Sequence, residues 1–351
     1  MQVNPVRRGE SGSGPASPSN GGLCNDAPMT PELLYLSESE VAGAGVSIDD
    51  IRAACADAYA ARARGAVRSV PKAAVTIAPG HAFHAMPVAR PDASLAALKW
   101  VGVLPGAGAA GAPSISALIV LSDAATGAAL AIMGGRWITA VRTAAITAIA
   151  AERLARPDAQ SISFIGCGVQ ARSHLAALRR VLPRLRRAVA FSRSAASAAA
   201  LAAEARAAGM EAETTRDPRT AVTGLDVIVS SVPAAAGLAP FLDPEWMAPG
   251  AFASAVDLGR TWKAEPIARL DIVATDDRAQ SETLGREGKL VTSGPFHADL
   301  AELASGKFPG RRNPRERAFF VFAGDALADL AAARVVYEAA LRRGLGTRLP
   351  A

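Results

Sequence analysis

The stretch SISFIGCGVQARSHLAAL, residues 161–178, constrains the fold of this chain more than any other segment. A short apolar run leads into two glycines, Gly166 and Gly168, and a pattern with helical spacing follows them. This order predicts a β-strand that turns tightly into an α-helix. Because the turn lies near the middle of a chain of 351 residues, a second domain is expected from the residues before it.

The residues after position 160 alternate between short apolar runs and helical patterns. An alanine-rich helix is predicted over residues 195–209, and the apolar runs are SISFIGCG, RAVAFSRS, DVIVSSVP, FASAVDLG and DIVATDD. Strands that alternate with helices in this way are typical of a parallel sheet covered by helices on both faces. The sequence therefore predicts an α/β fold in which this half of the chain is a doubly wound domain.

The residues before position 160 follow a different pattern. A helix is predicted over residues 47–64, behind the cap-like sequence SIDD. Four strand-like segments follow, AAVTIAP, HAFHAMPV, LAALKWVGVLP and SISALIVLSDAATGAALAIM, the last with a hairpin at residues 123–127. A long helix, WITAVRTAAITAIAAERLARP, then ends at Pro157. A mainly antiparallel sheet is therefore expected in this half of the chain.

The C-terminal run ERAFFVFAGDALADLAAARVVYEAALRRG is predicted to be helical and to end at Gly344. It is too long and too apolar to stay in solvent, so we expect it to pack back on the N-terminal sheet. The N-terminal domain is then discontinuous in sequence.

The composition of the chain indicates in which cellular compartment the protein works. The first 28 residues are rich in Gly, Ser, Pro and Asn and lack the apolar core of a secretion signal, so a disordered tail is predicted and Met29 is a candidate start. The longest uncharged run, residues 101–122, contains prolines and glycines, which excludes a membrane helix there. Three cysteines, an odd number without metal-ligand spacing, favour a reducing cytoplasm and no metal site.

The net charge of +6 raises the question of a nucleic-acid partner. The densest basic stretch is LRRVLPRLRR, residues 178–187. It is not interleaved with aromatic residues and no nucleic-acid-binding motif lies near it. A solvated helix end is therefore expected there, and no nucleic-acid partner.

The glycine turn has the spacing of a dinucleotide-binding site. In the pattern G-x-G-x-x-A, the first glycine permits the tight turn and the second lets the backbone approach a pyrophosphate. The small third residue lets the helix pack on its strand, and the helix N-terminus faces the phosphates. Gly166, Gly168 and Ala171 occupy these positions, so this half of the chain is predicted to be a Rossmann domain that binds NAD(P).

The end of the second strand of this domain bears on which dinucleotide binds. No Asp or Glu stands there to bind the ribose hydroxyls of NAD, and Ser192, Arg193 and Ser194 occupy the positions instead. An arginine suits the 2′-phosphate of NADP, so NADP(H) is favoured. NAD(H) stays open because Arg193 could stack on the adenine of either cofactor. Cys167, inside the turn, is interpreted as a small space-filling residue.

Four motifs follow one another in the order LKWVGVLP, VRTAA, GCGVQA and GDALADLAAARVVYEAA. On these motifs the chain, over residues 34–349, resembles the ornithine cyclodeaminase and mu-crystallin family, which includes alanine dehydrogenases and ketimine or pyrroline-carboxylate reductases. The resemblance implies a homodimer joined through the substrate domains, with the nicotinamide between the two domains of each subunit. It implies that the Rossmann domain, residues 142–317, is inserted into an α+β substrate-binding and dimerisation domain of residues 29–141 and 318–351.

The resemblance also implies roles for individual residues. Arg142 of VRTAA corresponds to the arginine that clamps the substrate carboxylate, a task that suits a planar guanidinium because it donates two parallel hydrogen bonds. Lys99 of LKWV corresponds to the strand lysine beside the reacting carbon, where a partly buried lysine works as an acid or a base. Met86 joins these two as a substrate-binding residue. Besides the glycines and the end of the second strand, the cofactor is expected to contact Thr143, Val169, Gln170, Ser231 and Val232.

Two positions depart from the pattern of the family. Where the family often has an arginine after a proline in the first strand, this chain has VPKAA, so Lys72 must serve there, or Arg68 from nearby. Where the cyclodeaminases have a catalytic aspartate, this chain has Gly259. Asp257 lies two residues earlier on the same strand face, displaced by about 6 to 7 Å. Asp257 is therefore a candidate for the catalytic acid, and ornithine cyclisation is in doubt.

The activity that these residues favour is NAD(P)H-dependent reduction of a C=N bond next to a carboxylate, as in a cyclic ketimine such as pyrroline- or piperideine-2-carboxylate. Arg142 and Lys72 would hold the carboxylate, and Lys99 would stabilise charge or pass a proton. The alternatives are an ornithine cyclodeaminase or an amino-acid dehydrogenase with bound NAD, in which Asp257 replaces the missing acid. A crystallin-like protein that binds NADPH without turnover is a third alternative.

Overall fold

The computed structural model describes residues 32–78, 80–104, 113–235 and 237–350. The tail predicted over residues 1–28 and the candidate start Met29 lie outside the described residues. Two eight-stranded sheets, one mixed and one parallel, organise the described chain. Among the helices within these ranges, none is long and apolar enough to cross a lipid bilayer.

The mixed sheet comes from the two ends of the described chain. Its strands are β1 (Glu32–Leu36), β2 (Arg68–Ser69), β3 (Ala73–Ala78), β4 (His81–Arg90), β5 (Leu95–Val103), β6 (Ile115–Asp123), β7 (Ala129–Gly134) and β16 (Thr347–Pro350). They lie in the order β16-β1-β7-β6-β5-β4-β2, and β3 also pairs with β4. Only the pair of β1 and β7 is parallel among these described strands. The predicted hairpin joins β6 to β7.

The two faces of the mixed sheet differ in burial because side chains alternate along each strand. In β5, Lys99 is buried on the inner face, whereas Leu98 and Trp100 are exposed on the outer face. The inner face is covered mainly by α8 (Ala326–Arg343). Three more helices, α1 (Glu38–Ala42), α2 (Ile48–Ala63) and α7 (Leu300–Ser305), complete this helical layer.

The parallel sheet comes from the middle of the chain. Its strands are β8 (Ser161–Ile165), β9 (Arg187–Phe191), β10 (Glu211–Thr215), β11 (Val227–Ser230), β12 (Phe252–Ala255), β13 (Ile272–Thr275), β14 (Ala298–Asp299) and β15 (Ala318–Val321). They lie in the order β10-β9-β8-β11-β12-β15-β13-β14, with α4 (Val169–Val181), α5 (Ala195–Ala207) and α6 (Arg278–Arg286) between them in sequence. This order is that of a doubly wound Rossmann sheet, so the predicted fold class is confirmed.

The helix α3 (Arg136–Leu154) joins the two sheets. It packs against β6 of the mixed sheet and against β12 and β15 of the parallel sheet, and most of its side chains are buried. A polar side chain on a helix buried in this way must find its partner inside the protein. The helix ends before Pro157, as its sequence predicts.

The C-terminal run differs from its prediction. Residues 318–321, Ala-Phe-Phe-Val, form β15 and pair in parallel with β12 and β13, so the prediction of helix is wrong for them. These four residues are fully buried, and aromatic and β-branched side chains favour a buried strand. The boundary predicted at residue 318 therefore lies one strand too early, because β15 belongs to the parallel sheet. The helix that follows, α8, ends at Gly344 in the left-handed conformation, as expected.

Candidate functional site

A cleft of about 330 Å³ opens where the two sheets and their helices meet. One wall is the segment before β3 together with β4, and the other is the N-terminal ends of α6 and α8. Its lining is partly apolar and partly polar: Ser69, Val70, Pro71, Lys72, Met86, Pro87, Asp277, Ala279, Gln280, Thr283, Asp325 and Ala326. Two of the predicted substrate-binding residues, Lys72 and Met86, therefore face one cavity.

Lys99 and Arg142 lie together in the interior, joined by an aspartate. Lys99 Nζ is 2.6 Å from Asp329 Oδ2, and Arg142 Nε donates to Asp329 Oδ1 at 3.0 Å. The side chains of Lys99 and Asp329 are 2% and 1% exposed, and that of Arg142 is 7% exposed. The three residues come from β5, α3 and α8, and we call them the buried ion cluster. It holds two cations for one anion, so it retains positive charge.

The environment sets the proton affinity of the cluster. Burial, together with the charge of Arg142, lowers the pKa of Lys99 to about 8, although Asp329 opposes the shift. Burial also opposes the charge of Arg142, but Asp329 and the neighbouring acidic groups outweigh it and raise the pKa of Arg142. Lys99 is thus close to the proton-exchange range at neutral pH, whereas Arg142 keeps its charge.

One edge of Arg142 has no partner among the described residues. Its Nη1 is buried and makes no hydrogen bond with the residues described. Gly324 lies against it: a Cβ built on this glycine would be 2.9 Å from Arg142 Nη1 and 3.2 Å from Nη2. A buried, unpaired guanidinium N–H is unfavourable by itself and is satisfied when an anion binds to it. This edge is suited to receive a carboxylate.

Lys72 and Met86 flank the cluster on the sheet. Met86 of β4 is paired directly opposite Lys99 of β5. Lys72 precedes β3, and its Nζ donates to Ala323 O at 3.1 Å, which leaves further N–H donors of the ammonium for a ligand. Burial lowers the pKa of Lys72. The alternative residue, Arg68, donates to carbonyls of its own turn and is exposed, so Lys72 is the cation that lines the cleft.

Asp257, which follows β12, takes no part in the buried ion cluster. Its carboxylate accepts hydrogen bonds from Ser230 Oγ, Val232 N, Gly259 N and Thr261 Oγ1 at 3.0–3.3 Å. Burial raises its pKa, and these hydrogen bonds oppose the shift. They connect the turn after β12 to the loop after β11. Asp257 therefore stabilises the C-terminal ends of these two neighbouring strands. These hydrogen bonds give no support to Asp257 as the substitute acid.

The glycine turn fits a dinucleotide. Gly166 has φ +89°, and a Cβ on it would lie 2.9 Å from Ser231 O. A Cβ on Gly168 would meet nothing within 4 Å, so the space in front of this backbone is open. The helix α4 begins at the next residue without a side-chain cap, which leaves its first N–H groups available to a pyrophosphate. Ala171, in the first turn of α4, is fully buried, as close packing of helix and strand requires.

The other residues predicted to contact the cofactor surround this turn or lie near it. Ser231 Oγ donates to Gly166 O at 3.1 Å, and Val169 is 65% exposed at the start of α4. Gln170 has a buried Oε1 without a partner among the described residues. The hydroxyl of Thr143 makes its hydrogen bond inside α3, where it donates to Thr139 O at 2.6 Å.

The segment after β9 is exposed and polar. Ser192 Oγ accepts a hydrogen bond from Ser194 N at 3.2 Å, and Ser194 in turn caps α5. Arg193, between them, is exposed to solvent. The segment can therefore present a cation and two hydroxyls to a group bound beyond the end of β9.

Sequence reasoning missed the acidic partners of the site. Asp329 lies in an apolar helix, and Asp276, directly after β13, is fully buried. The signal for Asp329 was present, because an aspartate within GDALADLAAA needs a cation, and Lys99 and Arg142 in apolar segments need an anion. Only the three-dimensional fold pairs them, since the three positions are far apart in sequence.

Comparison with known proteins gives the context of this geometry. The family model described as the ornithine cyclodeaminase/mu-crystallin family matches residues 34–344. An alanine dehydrogenase from Archaeoglobus fulgidus is 31% identical over 326 residues, which cover 91% of this chain and 98% of that relative.

The fold is also similar to solved structures. A Δ1-pyrroline-2-carboxylate reductase from Thermococcus litoralis in complex with NADH and L-proline has a TM-score of 0.81 and 28% identity, with 90% of this chain and 99% of that chain covered. An archaeal alanine dehydrogenase dimer with bound NAD has a TM-score of 0.79 and 28% identity, with 91% and 99% covered. As the order of its motifs predicted, this chain belongs to the ornithine cyclodeaminase/mu-crystallin family.

Proposed function

We propose that this protein is an NAD(P)H-dependent reductase of a C=N bond next to a carboxylate, of the cyclic ketimine or pyrroline-2-carboxylate type. One observation carries the proposal: the free, buried Nη1 of Arg142 beside Lys99, whose pKa burial lowers to about 8. The first group is suited to hold a carboxylate and the second to give up a proton near neutral pH. The complex of the Thermococcus litoralis reductase with NADH and L-proline supports this substrate class.

In this mechanism the chain binds and orients the substrate. Arg142 and Lys72 donate hydrogen bonds to its carboxylate, and Met86 and the apolar part of the cleft lining contact its carbon atoms. Asp329 holds Arg142 by Nε, which fixes the direction of the remaining guanidinium donors. Because the two cations are buried, their attraction for the carboxylate is screened little by water.

Lys99 manages the proton. When the substrate carbon is reduced, its nitrogen gains an electron pair and takes a proton, and Lys99 is the protonated group in the cluster that can supply it. Asp329 stabilises the charged form of Lys99 before the transfer. The reduced nicotinamide, when bound, supplies the hydride to the imine carbon. Gly166, Gly168 and the N-terminus of α4 would hold its pyrophosphate.

For the cofactor we propose a preference for NADP(H). The exposed Arg193, between two serines at the end of β9, supports it, because a 2′-phosphate would find a cation and hydroxyl donors there. The archaeal alanine dehydrogenase holds NAD and the Thermococcus litoralis reductase holds NADH, so NAD(H) is the alternative. Arg193→Ala should raise the Kd of NADPH about tenfold and leave that of NADH nearly unchanged. An equal effect on both cofactors would support stacking on the adenine instead.

For the assembly we propose a homodimer joined through the outer face of the mixed sheet. Exposed apolar side chains from adjacent strands lie on this face, which includes a stacked pair of Phe83 and Trp100 with ring centroids 5.4 Å apart. Trp100 is paired opposite Leu118, which is 47% exposed. An apolar face of this kind is typical of a protein interface. The dimeric archaeal alanine dehydrogenase supports the proposal.

A second candidate function is amino-acid dehydrogenation, which the 31% identity with an alanine dehydrogenase favours. The same carboxylate clamp would serve it, with Lys99 acting on an open-chain imine. Ornithine cyclodeamination is less favoured, because the carboxylate of Asp257 is taken up by hydrogen bonds from Ser230 and Thr261.

The first experiment measures oxidation of NADPH, and then of NADH, with pyrroline-2-carboxylate and piperideine-2-carboxylate. Parallel reactions contain pyruvate with ammonia, and ornithine with NAD. The proposal expects turnover with the cyclic imines. Turnover with pyruvate and ammonia alone would make the protein an amino-acid dehydrogenase, and ammonia from ornithine would make it a cyclodeaminase.

Arg142→Ala tests the assignment of the carboxylate clamp. It should lower kcat/KM by a factor that corresponds to about 2 to 5 kcal/mol, since the substrate carboxylate loses its buried partner. Arg136→Ala is the matched control, because Arg136 lies on the same helix with a half-exposed side chain. Normal turnover of Arg142→Ala on every active substrate would rule out this role.

A further inference from the structure

The loop of residues 322–325 crosses from the parallel sheet to the helical layer of the mixed sheet, and we call it the crossover loop. Three side chains from outside the loop hold its peptide groups. Lys72 Nζ donates to Ala323 O at 3.1 Å, Gly324 N donates to Asp276 Oδ2 at 2.8 Å, and Gln280 Nε2 donates to Gly324 O at 3.4 Å. Both domains therefore contribute to holding one short loop.

This loop also borders the guanidinium that we assign to the substrate carboxylate. Gly324 has φ +74°, a conformation that favours glycine. The position that a Cβ would take on this residue lies 2.9 Å from Nη1 and 3.2 Å from Nη2 of Arg142. A side chain at this position would collide with the guanidinium. The location of Gly324 thus limits where the free edge of Arg142 can lie.

Asp276 accepts hydrogen bonds that a neutral acceptor could also accept, so a carboxylate at this position is unusual. It is completely buried, and burial raises its pKa to about 7, with Asp325 and Asp277 adding to the shift and Lys72 opposing it. An aspartate has a pKa of about 3.9 in the unfolded chain, so the folded state loses stability as the pH rises from there to about 7. Ionised Asp276 therefore destabilises the fold at neutral pH.

Charged and titratable groups from several neighbouring elements act on this carboxylate. Two are cations, two are carboxylates and one is a phenol: Lys72 before β3, Arg142 on α3, Asp325 before α8, Asp277 before α6, and Tyr59 on α2. Lys72 and Arg142 are also the two proposed ligands of the substrate carboxylate. The state of Asp276 is thus coupled to both.

We propose that Asp276 is a positioning residue of the substrate site: its ionised carboxylate fixes Gly324 and keeps Lys72 charged, so that Lys72 and the free edge of Arg142 are in place for the substrate carboxylate. The proposal rests on the proposed function in one respect, that the ligand is a carboxylate. It explains why a buried position retains an acid that lowers stability.

The test measures binding of pyrrole-2-carboxylate, a planar carboxylate without a reducible imine, to the protein saturated with NADPH. For the wild-type protein, the Kd should fall about fivefold between about pH 6 and pH 8, because an ionised acceptor holds Gly324 more strongly than a neutral one. This measurement needs no variant. A Kd that is constant over the range, or an absence of binding, would overturn the proposal.

Asp276→Asn keeps the shape and removes the charge. We expect its Kd to stay at the weaker value of the wild-type protein at low pH across the whole range, while its Tm at about pH 8 is higher than that of the wild-type protein. A purely structural role predicts the opposite pair of results, a lower Tm and an unchanged pH response. Asp299→Asn is the matched control, since Asp299 is partly buried and its hydrogen bond caps α7.

The outcomes separate this proposal from the proposed function. If the wild-type protein binds pyrrole-2-carboxylate with the expected pH response but reduces no imine, the reductase assignment fails and the role of Asp276 stands. If the wild-type protein reduces imines and Asp276→Asn has the same KM and the same pH profile, the role of Asp276 fails and the reductase assignment stands.

Discussion

Asp329 is the single anion of the buried ion cluster. Its two oxygens contact Lys99 and Arg142 separately, and solvent does not reach it. Without it, two buried cations would face each other with no compensating charge. Breaking a buried ion pair from one side is strongly destabilising, because a charge is left unpaired in a medium that solvates it poorly.

Asp329→Asn should therefore impair both stability and activity. We expect the free energy of unfolding to fall by about 3 to 5 kcal/mol and kcat/KM to fall by at least a hundredfold, as Lys99 loses its proton and Arg142 its orientation. Denaturant unfolding and steady-state kinetics with the imine substrate measure the two effects.

Glu338→Gln is the control for this prediction. Glu338 lies on the same helix and pairs with Arg334 at 3.8 Å, but both side chains are partly exposed. Its loss should change stability by less than about 0.5 kcal/mol, as is usual for an exposed pair on a helix. If Asp329→Asn were as mild as this control, the buried ion cluster would have no energetic basis.

How far the site could be predicted differs from residue to residue. The motifs led to Lys99 and Arg142, and the structure brings them together. Asp329 and Asp276 were missed because their roles depend on contacts across elements that only the fold creates. Asp257 was chosen by its distance along the strand, and the sequence could not reveal that its carboxylate is taken up by the loop after β11.

The turn between β8 and α4 offers a matched pair of glycines. Gly166→Ala would force a Cβ to within 2.9 Å of Ser231 O at a positive φ, whereas Gly168→Ala would meet no atom within 4 Å. We expect Gly166→Ala to lower the free energy of unfolding by about 1 to 3 kcal/mol and to abolish cofactor binding. Gly168→Ala should leave stability nearly unchanged and weaken cofactor binding alone, because only the pyrophosphate comes close to it.

Thermal unfolding without cofactor and titration with NADPH distinguish the two variants. Loss of stability in Gly168→Ala without cofactor would contradict the open space in front of this residue.

His174 connects three elements through a buried chain of hydrogen bonds. Its Nδ1 contacts Gln170 O at 2.7 Å within α4, its Nε2 contacts Thr147 Oγ1 of α3 at 3.0 Å, and Thr147 contacts Ser254 Oγ of β12 at 2.9 Å. The carbonyl of Gln170 requires a proton on Nδ1, so Nε2 accepts from Thr147. Because burial lowers the pKa of His174 to about 4, the imidazole is neutral in the folded protein.

Stability should therefore depend on pH through this residue. A histidine of the unfolded chain has a pKa of about 6.5, so its contribution is complete above that pH and is lost as the pH falls toward 4, by up to about 3 kcal/mol. Denaturant unfolding of His174→Gln at about pH 7 and pH 5 should show a smaller loss on acidification than the wild-type protein. His81→Gln, at a partly exposed histidine, should keep the wild-type loss, and equal losses in all three would exclude this role for His174.

Periodicity predicted most elements because their apolar side chains recur at regular spacing or form short apolar runs. The helices α2, α3, α4 and α5, the strands β3 to β7 of the mixed sheet and the strands β8, β9, β11, β12 and β13 of the parallel sheet occur close to their expected bounds. No strand was predicted at β1, β2, β14 or β16. Strand β10 was missed because its sequence, EAETT, is largely exposed at the edge of the sheet and has no apolar run. Strand β15 was assigned to the following helix, because a short apolar run next to a helical pattern is compatible with either state.

The exposed apolar face of the mixed sheet predicts how the whole molecule assembles. Trp100→Glu would place a charge in the centre of the proposed interface, so the protein should become monomeric in light scattering at micromolar concentration. Leu341→Glu is the control, because Leu341 is 44% exposed on α8, and Trp100 is 43% exposed. Unchanged mass for Trp100→Glu would locate the dimer interface elsewhere or show a monomer.

A discontinuous N-terminal domain was expected because the motifs of one family occur in order along the chain, and the C-terminal helix needed an apolar surface to cover. In the structure the mixed sheet takes strands from both ends of the described chain, since β16 pairs with β1. The residue at which the chain leaves the parallel sheet and returns to the mixed sheet was not predictable, because it depends on the pairing of four residues in β15.

The pairing of β1 with β16 and the place of α8 on the mixed sheet determine the order in which the protein can be completed during synthesis. The parallel sheet has all of its strands once residue 321 has left the ribosome. The mixed sheet, although its first strand is made early, waits for α8 and β16 with its inner face uncovered. Contacts between residues so distant in sequence form slowly, and uncovered apolar surface promotes aggregation. Lys99 likewise has no counter-ion until Asp329 is made, so the site is among the last features of the nascent chain to form.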